Sequence, residues 1–114
     1  MRITDLRATD TALIEQIADL LVAAFAEHWP YAWPTLEEAR AEVHESFAPE
    51  RLSRVALDDD GAVMGWIGGI SGYGGVVWEL HPLAVQPHLH GRGVGRALVA
   101  DLEARVRERG GLTL

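Results

Sequence analysis

The sequence predicts one α+β domain, a mixed α/β layer in which helices pack on a single sheet. Three observations carry that prediction. Apolar spacing switches between helical and strand-like periods in the order strand, helix, helix, strand, strand, strand, helix, strand. Glycine, proline and Asp-Gly signals fall mostly between those runs. A chain of 114 residues has room for one hydrophobic core and not for two, so residues 1–114 read as a single domain.

Each element follows from its residues. Ile3, Asp5 and Arg7 alternate with Leu6, a strand pattern. Thr9 or Asp10 suits the cap of a helix over residues 11–25, with Leu13, Ile17, Leu20, Leu21, Ala24 and Phe25 on one face. Pro30 and Pro34 forbid its continuation. Thr35 and Glu38 form a capping box for a second helix over residues 36–47. A strand over residues 53–57, the turn Asp-Asp-Asp-Gly and a returning strand over residues 62–71 make a hairpin. The next strand, over residues 76–85, contains Pro82, which cannot donate to a ladder, so a bulge or splay is expected there. Residues 92–109 form a long helix with Val94, Leu98, Leu102 and Val106 on one face, ended by Gly110 and Gly111. Residues 112–114 begin a last strand.

Composition removes several functions. There are no cysteines, hence no disulfide frame, thiolate metal site or cysteine nucleophile. No apolar run is long enough to span a membrane, and the N-terminus lacks a signal-peptide core, so the expected compartment is the cytoplasm. A net charge of −7 argues against nucleic acid as partner. It suits a cationic small substrate, but simple solubility is the more ordinary reading of such a balance. The five histidines, including His88 and His90, show no trusted ligand spacing, so no metal is expected.

The most informative stretch is His-Gly-Arg-Gly-Val-Gly-Arg, residues 90–96. A strand followed by a glycine-rich turn and a helix start leaves backbone N–H groups unpaired at the positive end of a helix dipole, which suits a phosphate. Glycine removes the Cβ atoms that would hold a phosphate away, and Arg92 and Arg96 add charge. The P-loop needs Gly-Lys-Ser/Thr, and this chain has Gly95-Arg96-Ala97. The dinucleotide fingerprint fails at its third glycine, where Arg96 or Leu98 falls.

The remaining form, His90-x-x-Gly93-x-Gly95 after Leu83-Ala84-Val85-Gln86-Pro87, resembles the GNAT superfamily of N-acetyltransferases. The family has glutamine or arginine where this chain has His90. The resemblance implies a GNAT-type acyltransferase fold. It also implies that acetyl-coenzyme A is held at His90, Gly91, Arg92, Gly93, Val94, Gly95 and Arg96, with its pantetheine arm along Leu83, Ala84 and Val85. The run Trp-Glu-Leu-His-Pro-Leu, residues 78–83, is similar to the aminoglycoside 6′-N-acetyltransferases of that superfamily. It implies antibiotic-resistance chemistry: direct acetyl transfer to a primary amine, with the Leu83 N–H polarising the thioester carbonyl. Glu79 suits either the base or a seat for the substrate ammonium. His81 suits either the orientation of a neighbour or a backbone-bonded structural role. Trp29, Tyr31 and Trp33 lie in the region that lines the acceptor site in the family, or else they cover the core. Trp66 reads as core or pocket floor, and Glu37, Glu38 and Glu42 read as a solvated helix face, with attraction of a polycation as the alternative. The resemblance reaches only about the first two-thirds of the family's fold. A C-terminally truncated domain is therefore expected, either a fragment, a coenzyme A-binding remnant without turnover, or a homodimer formed through an exposed sheet edge.

Overall fold

The computed structural model describes residues 1–26 and 35–112. Strand β1 (Arg2–Asp5) precedes helices α1 (Thr11–Phe25) and α2 (Leu36–Glu45). Strands β2 (Arg51–Leu57), β3 (Val63–Gly72) and β4 (Val77–Val85) follow, then helix α3 (Val94–Glu108). The element order is the expected one. The strands form one antiparallel sheet in the order β1-β2-β3-β4. Of the expected last strand only Leu112 is described; its N–H donates to the Val76 carbonyl at 2.9 Å, beside the start of β4.

Strand alternation gives the sheet two apolar faces. Val55, Leu57, Trp66 and Ala84 pack under α1 and α2, against Ile17, Leu21, Ala39 and Val43. Leu52, Ala56, Ile67 and Trp78 meet the stripe of α3 formed by Val94, Leu98, Leu102 and Val106. That stripe is the one its sequence spacing predicts. On α1 the buried stripe centres on Ile14, Ile17, Ala18, Leu20 and Leu21, while Leu13, Ala24 and Phe25 lie at its margin.

Local chemistry sets the element ends. Thr35 Oγ1 accepts from the Glu38 N–H at 3.2 Å, the expected cap of α2. Asp10 occupies the cap position of α1, but its carboxylate accepts from the Arg7 N–H at 2.9 Å. Helix α3 starts two residues later than the sequence suggests, because Gly93 at φ 82° is left-handed and holds the turn out of the helix.

Ser46, Ser53 and Arg54 are polar residues buried in this core. Trp66 is fully buried and donates its indole N–H to Ser53 Oγ at 2.9 Å. Arg54 grips both Asp101 carboxylate oxygens, Nε at 2.7 Å and Nη2 at 3.0 Å, and donates from Nη1 to Asp5 at 2.9 Å. This fork ties the middle of α3 to β1 and β2.

Candidate functional site

The site is built around an irregularity in β4. Ile67 pairs with Leu83 and Gly69 with Leu80, so His81 and Pro82 together oppose the single residue Gly68. This is the bulge expected at Pro82, and the His81–Pro82 peptide is cis. A side chain on residue 68 would collide with the His81 carbonyl oxygen, which explains a glycine in mid-strand.

Beyond the bulge the backbone turns useful groups outward. The Gln86 N–H donates inward to the Met64 carbonyl at 3.0 Å. Amide direction alternates along an antiparallel strand, so the Ala84 N–H also faces β3. The N–H groups of Leu83 and Val85 face the opposite edge. On that edge the His90 Nε2 lies 3.1 Å from the Val85 carbonyl; a carbonyl only accepts, so Nε2 carries the proton. His90 therefore ties the glycine turn to the end of β4.

A cleft of about 510 Å³ opens between that edge and the start of α3. It is lined by Leu83, Val85, Leu89, His90, Gly91, Gly93, Val94, Gly95 and Arg96, with no carboxylate among them. The helix-opening bond runs from the Ala97 N–H to the Gly93 carbonyl at 3.0 Å. The N–H groups of Val94, Gly95 and Arg96 precede it and have no intrahelical acceptor. Gly91 and Gly93 are both left-handed, at φ 80° and 82°, and a Cβ on either would meet no atom within 4 Å. Open space, turned-out amides, a helix dipole and an apolar strand wall fit a diphosphate joined to an extended chain.

The other side of β4 carries the acidic and imidazole groups. Trp78 and Leu80 pack toward α3, so alternation turns Glu79 toward the α1–α2 side, where His81 also reaches. Glu79 is exposed and lines a hollow of about 180 Å³ with Ile70, Ser71, Gly72 and Val77. His81 Nε2 stands 3.4 Å from Glu42 Oε1 on α2. Arg51 Nη2 stands 3.5 Å from the same oxygen, and Arg51 Nη1 is 3.8 Å from Glu45. Burial pushes the Glu42 carboxyl above its ordinary value, against the lowering pull of His81 and Arg51; Glu45 adds to the rise.

Of the residues singled out for the cofactor, eight line the cleft. Ala84 does not, because its side chain lies 3% exposed in the α1–α2 core. Arg92 is exposed on the turn but is not part of the lining. Glu79 and His81 share the opposite side of the strand. Trp29, Tyr31 and Trp33 lie outside the described residues. Trp66 is core. Glu42 corrects the sequence reading: its side chain is only 12% exposed, against the expected solvated face. The signal was present in the spacing, since Ala39, Glu42, Val43 and Ser46 form one helical row with three buried members. Among the described residues no group of three or more histidine and acidic side chains is placed to hold a metal, and no helix is long and apolar enough to cross a membrane.

These features define a sheet-and-helix fold with an open cleft at a helix start, and comparison with known proteins gives its family. Residues 14–114 match the model of the acetyltransferase (GNAT) family, and the chain belongs to that family. Among solved structures, an aminoglycoside 6′-N-acetyltransferase complexed with coenzyme A is 34% identical with a TM-score of 0.83, over 97% of this chain and 58% of the other. The aminoglycoside 6′-N-acetyltransferase from Enterococcus faecium is 35% identical with a TM-score of 0.82, over 98% of this chain and 58% of the other. A GNAT family acetyltransferase from Brucella melitensis in complex with acetyl-CoA is 29% identical with a TM-score of 0.71, over 99% of this chain and 74% of the other. No curated protein sequence matches the chain. The chain thus spans 58% of the length of two of these aminoglycoside enzymes.

Proposed function

We propose that this chain carries the coenzyme A-binding part of an N-acetyltransferase that moves an acetyl group from acetyl-coenzyme A to a primary amine, with an aminoglycoside 6′-amine as the acceptor. The observation behind it is the cleft between the outer edge of β4 and the start of α3, with its outward amides and carboxylate-free lining. The 34% identity to an aminoglycoside enzyme complexed with coenzyme A supports the acceptor class.

Acetyl-coenzyme A supplies an acyl group already activated as a thioester. The residues of the chain divide the remaining work. The N–H groups of Val94, Gly95 and Arg96 would hold the diphosphate, and Arg92 and Arg96 would add charge from the rim. Leu83 and Val85 give the pantetheine arm an apolar wall and outward amides. The Leu83 N–H is the donor available to a thioester oxygen at the bulge, a role worth on the order of 3 kcal/mol of transition-state stabilisation. Glu79 and His81, on the far side of the strand, are the groups that seat and deprotonate an incoming ammonium.

The test is a thiol-release assay with acetyl-coenzyme A and kanamycin-like amines. Amine-dependent thiol release, reduced by Glu79→Ala, supports the reading. Thermal stabilisation by coenzyme A without thiol release would leave a binding module in its place.

A further inference from the structure

A second hollow, of about 280 Å³, lies away from the cofactor cleft. The end of β1, the connection from α2 to β2, the start of β2 and the residue after α3 enclose it. Helix α3 separates the two places. Arg96 lines the cleft at its start and Arg109 lines the hollow past its end, about 20 Å apart at the rise of an α-helix.

Three of the chain's 10 basic residues, Arg7, Arg51 and Arg109, line this hollow, although the chain carries a net charge of −7. Asp5 is the acidic residue in the lining, and its carboxylate already accepts from Arg54 at 2.9 Å. The arginine donors are largely unused. The Arg51 side chain is 11% exposed, yet it makes no hydrogen bond among the described residues; Glu42 stands 3.5 Å from Nη2 and Glu45 3.8 Å from Nη1. A half-hidden guanidinium with idle donors is costly unless an acceptor reaches it. Arg109 is anchored by two groups that do not neutralise it. Its Nη1 donates to the Pro49 carbonyl at 3.1 Å, and its Cζ stands 5.7 Å over the Trp78 ring. No carboxylate lies within 4.0 Å of the Arg7 or Arg109 guanidinium among the described residues. Asp10 bonds the main-chain N–H of Arg7 instead.

An arginine that serves solubility points into open water, and one that serves stability meets a carboxylate. Here three arginines from separate parts of the chain meet around one hollow, two of them held in place, with donors to spare. The planar fork of a guanidinium fits two oxygens of a carboxylate or phosphate. Buried Ser46 and Ser53, their hydroxyls 3.0 Å apart, close the floor.

We propose that this hollow binds a small oxyanion of two negative charges, a phosphate or a dicarboxylate, gripped by Arg7, Arg51 and Arg109. Two charges match the three cations offset by Asp5. The bound ion ties the ends of β1 and α3 to the start of β2. The site shares no residue with the diphosphate cradle and does not depend on the acetyl-transfer reading.

The test is an NMR titration of the intact 15N-labelled chain at constant ionic strength, with inorganic phosphate in one arm and succinate in the other. Arginine Nε–H and backbone amide signals report residue by residue, so an anion at the start of α3 is read separately. We expect saturable shifts at the Nε–H of Arg7, Arg51 and Arg109 and at the backbone of residues 46–53. Arg7→Gln and Arg109→Gln change exposed side chains, and cooperative melting checks that both variants fold. Each weakens binding about tenfold or more, as loss of a charged hydrogen bond requires. The arm that saturates at the lower concentration identifies the ligand as phosphate or dicarboxylate. Shifts confined to the start of α3 overturn the proposal. So does the absence of any saturable shift at the hollow by about 20 mM of either anion, well above a millimolar dissociation constant. An affinity that the folded double variant leaves unchanged overturns it as well.

Discussion

Gly68→Ala is the most discriminating perturbation of the β4 bulge. Two residues of β4 bow toward β3 at this point, and a Cβ on residue 68 would strike the His81 carbonyl oxygen. It would also lie 3.2 Å from the His81 carbonyl carbon and 3.5 Å from Pro82 Cδ. The obstacle is backbone, so no rotamer change relieves it. Reaching ordinary contact requires moving the bulge by about 1 Å, an overpacking cost of about 2–3 kcal/mol. Replacing glycine by alanine returns about 0.7 kcal/mol through the unfolded chain. The clash wins by about 2 kcal/mol, which lowers Tm by about 10 °C for a domain of this size. Gly72→Ala in the same strand is the control, since its Cβ would meet only the Val77 carbonyl at an ordinary 3.6 Å. Its Tm is expected within about 3 °C of wild type. Scanning calorimetry of the three proteins decides the matter. Equal melting temperatures for Gly68→Ala and Gly72→Ala would refute the reasoning that the bulge sits hard against residue 68.

Three further outcomes follow from particular contacts. Asp101→Ala removes both acceptors of the Arg54 fork at a site 15% exposed and should cost about 3 kcal/mol, while Asp5→Ala, at 66% exposure, should cost less than about 1 kcal/mol; urea denaturation separates them. Glu42 is raised above the ordinary glutamate value of 4.5, so its protonated form favours folding, and that contribution is full below pH 4.5 and lost as pH rises through the raised value. Glu42→Gln carries no such loss, so thermal melts across pH 4 to 8 should show the wild type falling behind the variant as pH rises; a constant difference would contradict the burial argument. Gly91→Ala places a Cβ in open space at φ 80°, so only left-handed strain of about 1 kcal/mol applies, read as a Tm drop of about 5 °C.

Much of the fold was legible because its signals are local. The α3 stripe of Val94, Leu98, Leu102 and Val106 needs only helical spacing, and all four residues are buried. Thr35 and Glu38 announce the cap of α2 within four residues. Gly91, Gly93 and Gly95 announce a backbone left open to a ligand, and all three line the cleft. Pro82 announced a broken ladder, but not which residue would oppose it; Gly68 is that residue, on another strand. What stayed hidden depends on partners distant in sequence. Arg54 reads as an ordinary strand charge until Asp5 and Asp101 converge on it, 49 and 47 residues away. Glu42 reads as surface until β4 brings His81 beneath α2. The start of α3 was placed too early because an arginine and two glycines do not reveal where a left-handed residue will stop a helix.

The proposed diphosphate grip at the start of α3 is tested most directly by titrating coenzyme A into the folded chain in a calorimeter. Binding heat from the wild type, abolished in a Gly93→Val variant that still melts cooperatively, is the predicted result. A folded wild type that yields no heat, or a valine variant that binds as tightly, would contradict it.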